Sequence, residues 1–230
     1  MHLFRNRADA GRRLAESIPE FSARQKPIVL ALPRGGVPVA REIADASGLP
    51  LDVFVIRRLG IPGREDVAIG AVAAGGIRVL NEDVVESLEI PEALIARVAA
   101  QEERQLQRME ALYRGGKPEV ELAGRTVVLV DDGVATGASL RAAMAAVGSR
   151  RPAGLIVAVP VAPANACRAV AELADELVCI ACALDFGSVG MWFQEFGPVP
   201  DEEVIRLLAS PRAAGAASRR RLGRRVSALR

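Results

Sequence analysis

Two adjacent carboxylates, Asp131 and Asp132, end an apolar run, and a short glycine-containing segment separates them from Thr136-Gly-Ala-Ser139. The run itself, Arg125-Thr-Val-Val-Leu-Val130, has the β-branched character of a buried parallel strand. In open α/β sheets ligands bind beyond the carboxyl ends of such strands, so the acidic pair emerges where a ligand is expected. Thr136-Gly-Ala-Ser139 then opens a helix. The first N–H groups of a helix lack intrahelical partners and sit at the positive end of its dipole, which makes a phosphate monoester the expected guest. Gly137 permits close approach, and the Thr136 and Ser139 hydroxyls add donors. The carboxylates cannot hold the phosphate, but they accept hydrogen bonds from the hydroxyls of a sugar attached to it. The spacing therefore reads as a cradle for a ribose 5-phosphate.

A second segment offers a second anion site. Ile28-Val-Leu-Ala-Leu-Pro-Arg-Gly-Gly-Val37 is an apolar strand running into Arg34-Gly35-Gly36 and then a helix, which presents backbone amides and a guanidinium. Taken alone it is equally an ordinary strand-to-helix turn. Other chemistries lose their residues at once. His2 is the single histidine, so a Ser-His-Asp triad and a His-ligated zinc site are excluded. An acidic pair after an apolar strand also resembles a Walker B strand, but no Gly-x-x-x-x-Gly-Lys-Ser/Thr accompanies it. Cys179 and Cys182 have redox-motif spacing within Glu176-Leu-Val-Cys-Ile-Ala-Cys-Ala-Leu184, which reads as a strand. Residues three apart on a strand face opposite sides, so these two are expected as unpaired core cysteines in a reducing compartment.

The elements that must position these residues follow from alternation of β-branched runs with Ala-rich stretches, the pattern of an α/β chain with an open, mostly parallel sheet flanked by helices. Strands are expected at Ile28 to Leu32, Leu51 to Arg57, Arg125 to Asp131, Leu155 to Val161 and Glu176 to Ala183, with helices at about 37 to 47, 137 to 149 and 163 to 174. Ile69 to Ala73 and Ile77 to Leu80 flank Ala74-Gly-Gly76 and read as a β-hairpin insertion. Glu92 to Tyr113 carries apolar residues at helical spacing and reads as a long packing helix, with shorter helices at Ala8 to Ile18 and Asp201 to Leu208.

Val128-Leu-Val-Asp-Asp-Gly-Val-Ala-Thr-Gly-Ala-Ser139 resembles the phosphoribosyl-pyrophosphate signature of type I phosphoribosyltransferases. The resemblance implies that Asp131 and Asp132 hold the ribose 2- and 3-hydroxyls and meet magnesium indirectly, through ribose or water. It implies that Ala135, Thr136, Gly137, Ala138 and Ser139 wrap the 5-phosphate, and that Arg34, Gly35 and Gly36 form the pyrophosphate loop, with a non-proline cis peptide at Arg34-Gly35. Arg57 and Arg58 stand at a strand end where the family places basic residues near pyrophosphate; ordinary surface charge is the other reading. Leu59 to Ala68 occupies the place of the mobile catalytic lid, suited by Gly60, Pro62 and Gly63, and its Glu65 or Asp66 is the candidate general base or a solvated loop charge. Asp185 to Phe193 stands where the family builds a hood over the acceptor, at about 185 to 200. Phe186, Trp192 and Phe193 can stack on a base there or pack as a small cap. Hypoxanthine-type enzymes carry an Asp where this chain has Ala135, which removes one residue that would read a purine ring.

The expected activity is Mg2+-dependent transfer of the phosphoribosyl group to a nitrogenous acceptor, a nucleobase by preference, with homo-oligomerisation allowed. Two rivals remain: a regulatory binder of phosphoribosyl pyrophosphate or nucleotide without turnover, and a metal-dependent phosphohydrolase using the acidic pair. Residues 1 to 210 are expected to form the domain and 211 to 230 a disordered tail. That tail carries seven Arg and no acid, leaving 23 basic against 28 acidic residues elsewhere, so any nucleic-acid contact is expected through it alone. No run of about 18 apolar residues occurs and the N-terminus is charged, which predicts a cytoplasmic protein without membrane contact.

Overall fold

The computed structural model describes residues 2–18, 21 and 24–210. Its centre is a five-stranded parallel sheet in the order β2-β1-β6-β7-β8, built from β1 (Ile28–Ala31), β2 (Leu51–Val53), β6 (Thr126–Val130), β7 (Gly154–Pro163) and β8 (Glu176–Ala183). All residues of β1 and β6 are buried, as strands covered on both faces must be. Side-chain alternation divides the core in two. Val29, Ala31, Val128, Val130, Ile156 and Ala158 face helices α1 (Arg7–Ser17), α2 (Gly36–Ser47), α4 (Glu92–Arg114) and α7 (Asp201–Ala209). Ile28, Leu30, Val127, Leu129, Val157 and Val159 face α5 (Ala138–Gly148) and α6 (Ala164–Ala171). Parallel register aligns the strand ends, with Ala31 beside Val130 and Val130 beside Ala158.

A second, antiparallel sheet in the order β3-β4-β5 comprises β3 (Ile56–Ile61), β4 (Arg64–Ala73) and β5 (Ile77–Leu80), and the short helix α3 (Glu82–Ser87) follows it. Leu59, Ile69 and Val72 share a core with Ile95, Val98 and Leu106 of α4, while Ile56, Ile77 and Val79 pack on the side of α5. The expected hairpin around Ala74-Gly-Gly76 is β4 and β5, joined by a 3-10 turn in which Gly75 has φ 74°.

Three expectations need correction. The apolar stretch from Leu51 to Arg57 is two strands in different sheets: Phe54 donates its N–H to Ala31 O (2.9 Å) as the last bond to the main sheet, and Ile56 starts the small one. The segment Leu59 to Ala68 is paired backbone rather than an open loop. β3 and β4 form a hairpin that turns at Pro62-Gly63, with Gly63 at φ 80° and a bulge at Gly60. The cysteines are not all unpaired: Cys167 is bonded to Cys182, because α6 follows β7 directly and folds back along β8. No helix among the described residues is long and apolar enough to cross a membrane. The Arg-rich stretch 211–230 lies outside the described residues.

Candidate functional site

Strand order reverses between β1 and β6: from β1 the chain moves outward to β2, whereas β6 to β8 extend the other way. Loops at such a switch point diverge and leave a crevice at the carboxyl end of the sheet. Residues 32 to 35 leave β1 there, and residues 131 to 137 leave β6 there.

The two loops touch, and glycine is what lets them. A Cβ at Gly35 would overlap the Asp132 carboxylate, and one at Gly36 would stand 2.6 Å from Val130 O and 3.0 Å from Asp131 Cα. Arg34-Gly35-Gly36 is therefore pressed against the acidic pair. The non-proline cis peptide lies at Pro33-Arg34, one bond earlier than expected. Arg34 is half exposed, and its Nη1 is 3.6 Å from Asp201 Oδ1 at the start of α7.

Beyond β6, Asp132 N–H donates to Asp131 Oδ1 (2.8 Å), bending the chain immediately after the strand. Gly137 adopts the left-handed conformation (φ 76°) and is the N-cap of α5, so residues 135 to 139 straddle a helix start as expected. Ala135 and Thr136 are exposed, Gly137 is buried, and Ala138 and Ser139 form the first turn. The glycine N-cap supplies no side chain to the leading amides, and Ala138 N–H makes only a long 3.5 Å bond to Thr136 Oγ1. Beside the loop, a cavity of about 370 Å3 opens between the small sheet and α5, lined by Arg58, Gly70, Asn81, Ala138 and Arg141.

The carboxylates differ in environment. Burial pushes Asp131 well above the usual carboxylate range, and the neighbouring Asp132 charge adds to the effect. Asp132 instead accepts a 2.7 Å hydrogen bond from Arg7 Nε, with both side chains less than one-fifth exposed. Arg7 is further fixed by donating to Gly197 O (2.8 Å) and by standing 3.9 Å over the Phe196 ring. Asn6 caps α1 by accepting from Asp9 N–H (3.0 Å), which sets Arg7 in the first turn. Arg7 is a partner of the acidic pair that sequence reasoning missed. Its partner is 125 residues away, and nothing local distinguishes it from other surface-type arginines.

The remaining expected site residues divide. Arg57 does not end a strand of the main sheet; it lies on β3 and pairs with Glu102 of α4 (2.8 Å). Arg58 reaches the cavity beside Ala138. Glu65 and Asp66 lie on β4, and their side chains fall outside the described part. In the segment expected as a hood, Phe186 and Trp192 stack on each other (centroids 6.0 Å), and Trp192 Nε1–H donates to Phe186 O (3.2 Å). Phe193 is 2% exposed between Phe4 and Phe196, so its ring is core and has no face for an acceptor. The segment nevertheless lies against the acidic loop: a Cβ on Gly133 would stand 2.5 Å from Val189 Cγ1.

This arrangement has counterparts. Residues 3–191 match the family model described as a phosphoribosyl transferase domain. A Mycobacterium tuberculosis (strain H37Rv) protein, named as a candidate phosphoribosyl transferase, is 40% identical over 208 residues. That alignment covers 90% of this chain and 47% of the relative, so the chain spans about half the length of the curated relatives it matches. The crystal structure of TT1426 from Thermus thermophilus is similar throughout, with a TM-score of 0.79 and 40% identity over 90% of this chain and 98% of that one.

Proposed function

We propose that this chain, which belongs to the phosphoribosyl transferase domain family, is a cytoplasmic enzyme that moves the phosphoribosyl group of phosphoribosyl pyrophosphate to a nitrogen of a small acceptor, a nucleobase by preference. Residues 1 to 210 are taken as the domain responsible, with residues 185 to 200 as its hood. The observation that carries the reading is the contact of two loops at the switch point, Gly35 against the Asp132 carboxylate and Gly36 against the end of β6. One loop offers amides and Arg34 to pyrophosphate. The other offers carboxylates to ribose and helix-start amides to the 5-phosphate.

In the reaction the bond from the anomeric carbon to pyrophosphate breaks, and its electron pair leaves with pyrophosphate. The acceptor nitrogen supplies the pair for the new C–N bond, and its proton passes to Glu65, Asp66 or solvent. No protein nucleophile is required. The chain contributes alignment of the reactants and stabilisation of the departing charge through the Arg34 loop, with Arg58 beside the phosphate segment. Asp132 keeps Arg7 and still accepts from a ribose hydroxyl, since a carboxylate has about four acceptor sites. Asp131, whose burial favours the protonated form, donates to or accepts from the other hydroxyl. The oxygen donors of this pair suit magnesium, which would be held through ribose or water and would offset charge on the leaving group.

Calorimetry with phosphoribosyl pyrophosphate tests the site. Affinity should rise with Mg2+, and Asp131→Asn with Asp132→Asn should lower it at least tenfold, since a hydrogen bond to a charged group contributes about 1.5–3 kcal/mol. Unchanged affinity in a folded double variant would overturn the ribose assignment. Pyrophosphate release against a panel of nucleobases and small amines then identifies the acceptor. Binding without release would select the alternative of a regulatory binder.

A further inference from the structure

A cluster of three sulfurs lies outside the carboxyl-end loops and has no part in the transfer reaction. Cys167 of α6 and Cys179 and Cys182 of β8 have Sγ atoms all within 4.8 Å of one another. The topology produces this meeting. β7 runs directly into α6, α6 returns along β8, and the register sets Ala162 beside Cys182. Cys167 is bonded to Cys182, while Cys179 Sγ stands 3.9 Å from Cys167 Sγ. Cys167 is buried, Cys179 half-buried and Cys182 exposed.

A third sulfur beside a disulfide has two possible uses. One is thiol–disulfide exchange, in which Cys179 attacks the bond. Attack at Cys167 would only pass the bond from Cys182 to Cys179 and leave one thiol as before. The other use is metal ligation, where the ion itself displaces the proton. Zn–S bonds of about 2.3 Å at tetrahedral angles place sulfurs about 3.8 Å apart. Cys167 and Cys179 are already at that separation. Only Cys182 must move, and it is the exposed member of the three.

We propose that Cys167, Cys179 and Cys182 form a three-thiolate site for a thiophilic divalent ion, zinc by preference, filled when the disulfide is reduced and emptied when it forms. A dithiol reductant supplies the two electrons: the Cys167–Cys182 bond becomes two thiols, and the reductant becomes a cyclic disulfide. The ion then replaces three thiol protons, and a fourth position stays open to water on the side of exposed Cys182. The site adjoins the phosphate loop. Ala166, next to Cys167, has its Cβ 3.9 Å from where a Cβ on Gly137 would stand, so a filled site braces α6 against that loop.

The test uses the full chain, reduced and then freed of reductant without oxygen, and titrated with Co2+ as a spectroscopic probe. One Co2+ per chain should bind with sulfur-to-cobalt charge-transfer and tetrahedral d–d bands, and Zn2+ should bleach both stoichiometrically. Cys182→Ser, an exposed change that spares the core, should weaken Co2+ binding at least tenfold with the melting curve intact. Cys179→Ser should do the same, and the disulfide form should bind none. Absence of the charge-transfer band in the reduced chain would overturn the proposal. So would equal bands in the Cys182→Ser chain, or a disulfide that a dithiol cannot open in the folded protein.

Discussion

At the scale of single residues, the side chain that most constrains the site is Arg7. It ties Asp132 to the segment after Trp192, through Gly197 O and the face of Phe196. A partly buried ion pair contributes little net stability, yet removing one partner strands the other charge. Arg7→Met should therefore destabilise the fold by about 2 kcal/mol, between the values for exposed and fully buried pairs. Asp132→Asn in the same chain should recover part of that loss. Urea unfolding of the two single variants and the double variant measures the coupling. Strict additivity would mean that Arg7 acts through its packing on Phe196 and not through Asp132. Arg7 was not legible in the sequence, because an ion pair spanning most of the chain leaves no local pattern. Asp131 and Asp132 were legible because strand, acidic pair and helix start are contiguous.

At the scale of elements, contiguity again decides what could be read. The parallel strands, the β4–β5 hairpin and the long α4 each announce themselves through local periodicity, and their observed limits lie close to those expected, except that β4 begins at Arg64 and not at Ile69. The division of Leu51 to Arg57 does not, since both halves are apolar and a change of sheet depends on the partner strand, not on composition. The segment expected as a lid misled for a related reason: Gly60 and Gly63 signal freedom, but here they serve a bulge and a tight turn within paired strands. Leu59 and Ile69 anchor the hairpin in the core, while Pro62, Gly63 and Arg64 at its tip are exposed. A hairpin built this way moves as a unit, if at all, rather than by loop disorder. Replacing residues 62 to 66 with Asn-Gly shortens it and keeps Ile61, which packs on the core. Such a chain should keep its affinity for phosphoribosyl pyrophosphate within about threefold yet lose at least about tenfold in single-turnover transfer, as expected for an element that completes the site. Equal losses in both would make the hairpin tip part of the binding wall.

At the scale of the whole molecule, α7 joins parts that are distant in the chain. Val204 on its inner face is fully buried, and Tyr113 OH at the end of α4 donates to Asp201 (2.6 Å). Asp201 also meets Arg34 of the cis-peptide loop, and Arg41 of α2, only 7% exposed, donates to Leu207 O (3.5 Å) and Ser210 O (3.4 Å). The last turn of α7 is thus the last segment with ties to the core among the described residues. Truncation on either side of it should give opposite results. Ending the chain after Ser210 removes the Arg-rich stretch and should leave the melting temperature and phosphoribosyl-pyrophosphate affinity unchanged, while abolishing any salt-sensitive affinity for nucleic acid. Ending it after Pro200 should cost about 4 kcal/mol, because it empties the Val204 site, takes Asp201 from the Tyr113 hydroxyl and takes two carbonyl acceptors from Arg41, which keeps its pair with Asp45. It should also free Arg34 and weaken pyrophosphate binding. Thermal unfolding and calorimetry on the two truncated chains read both effects. A loss of stability in the chain ending at Ser210 would mean that residues 211 to 230 belong to the fold, and the domain boundary assigned at 210 would be wrong.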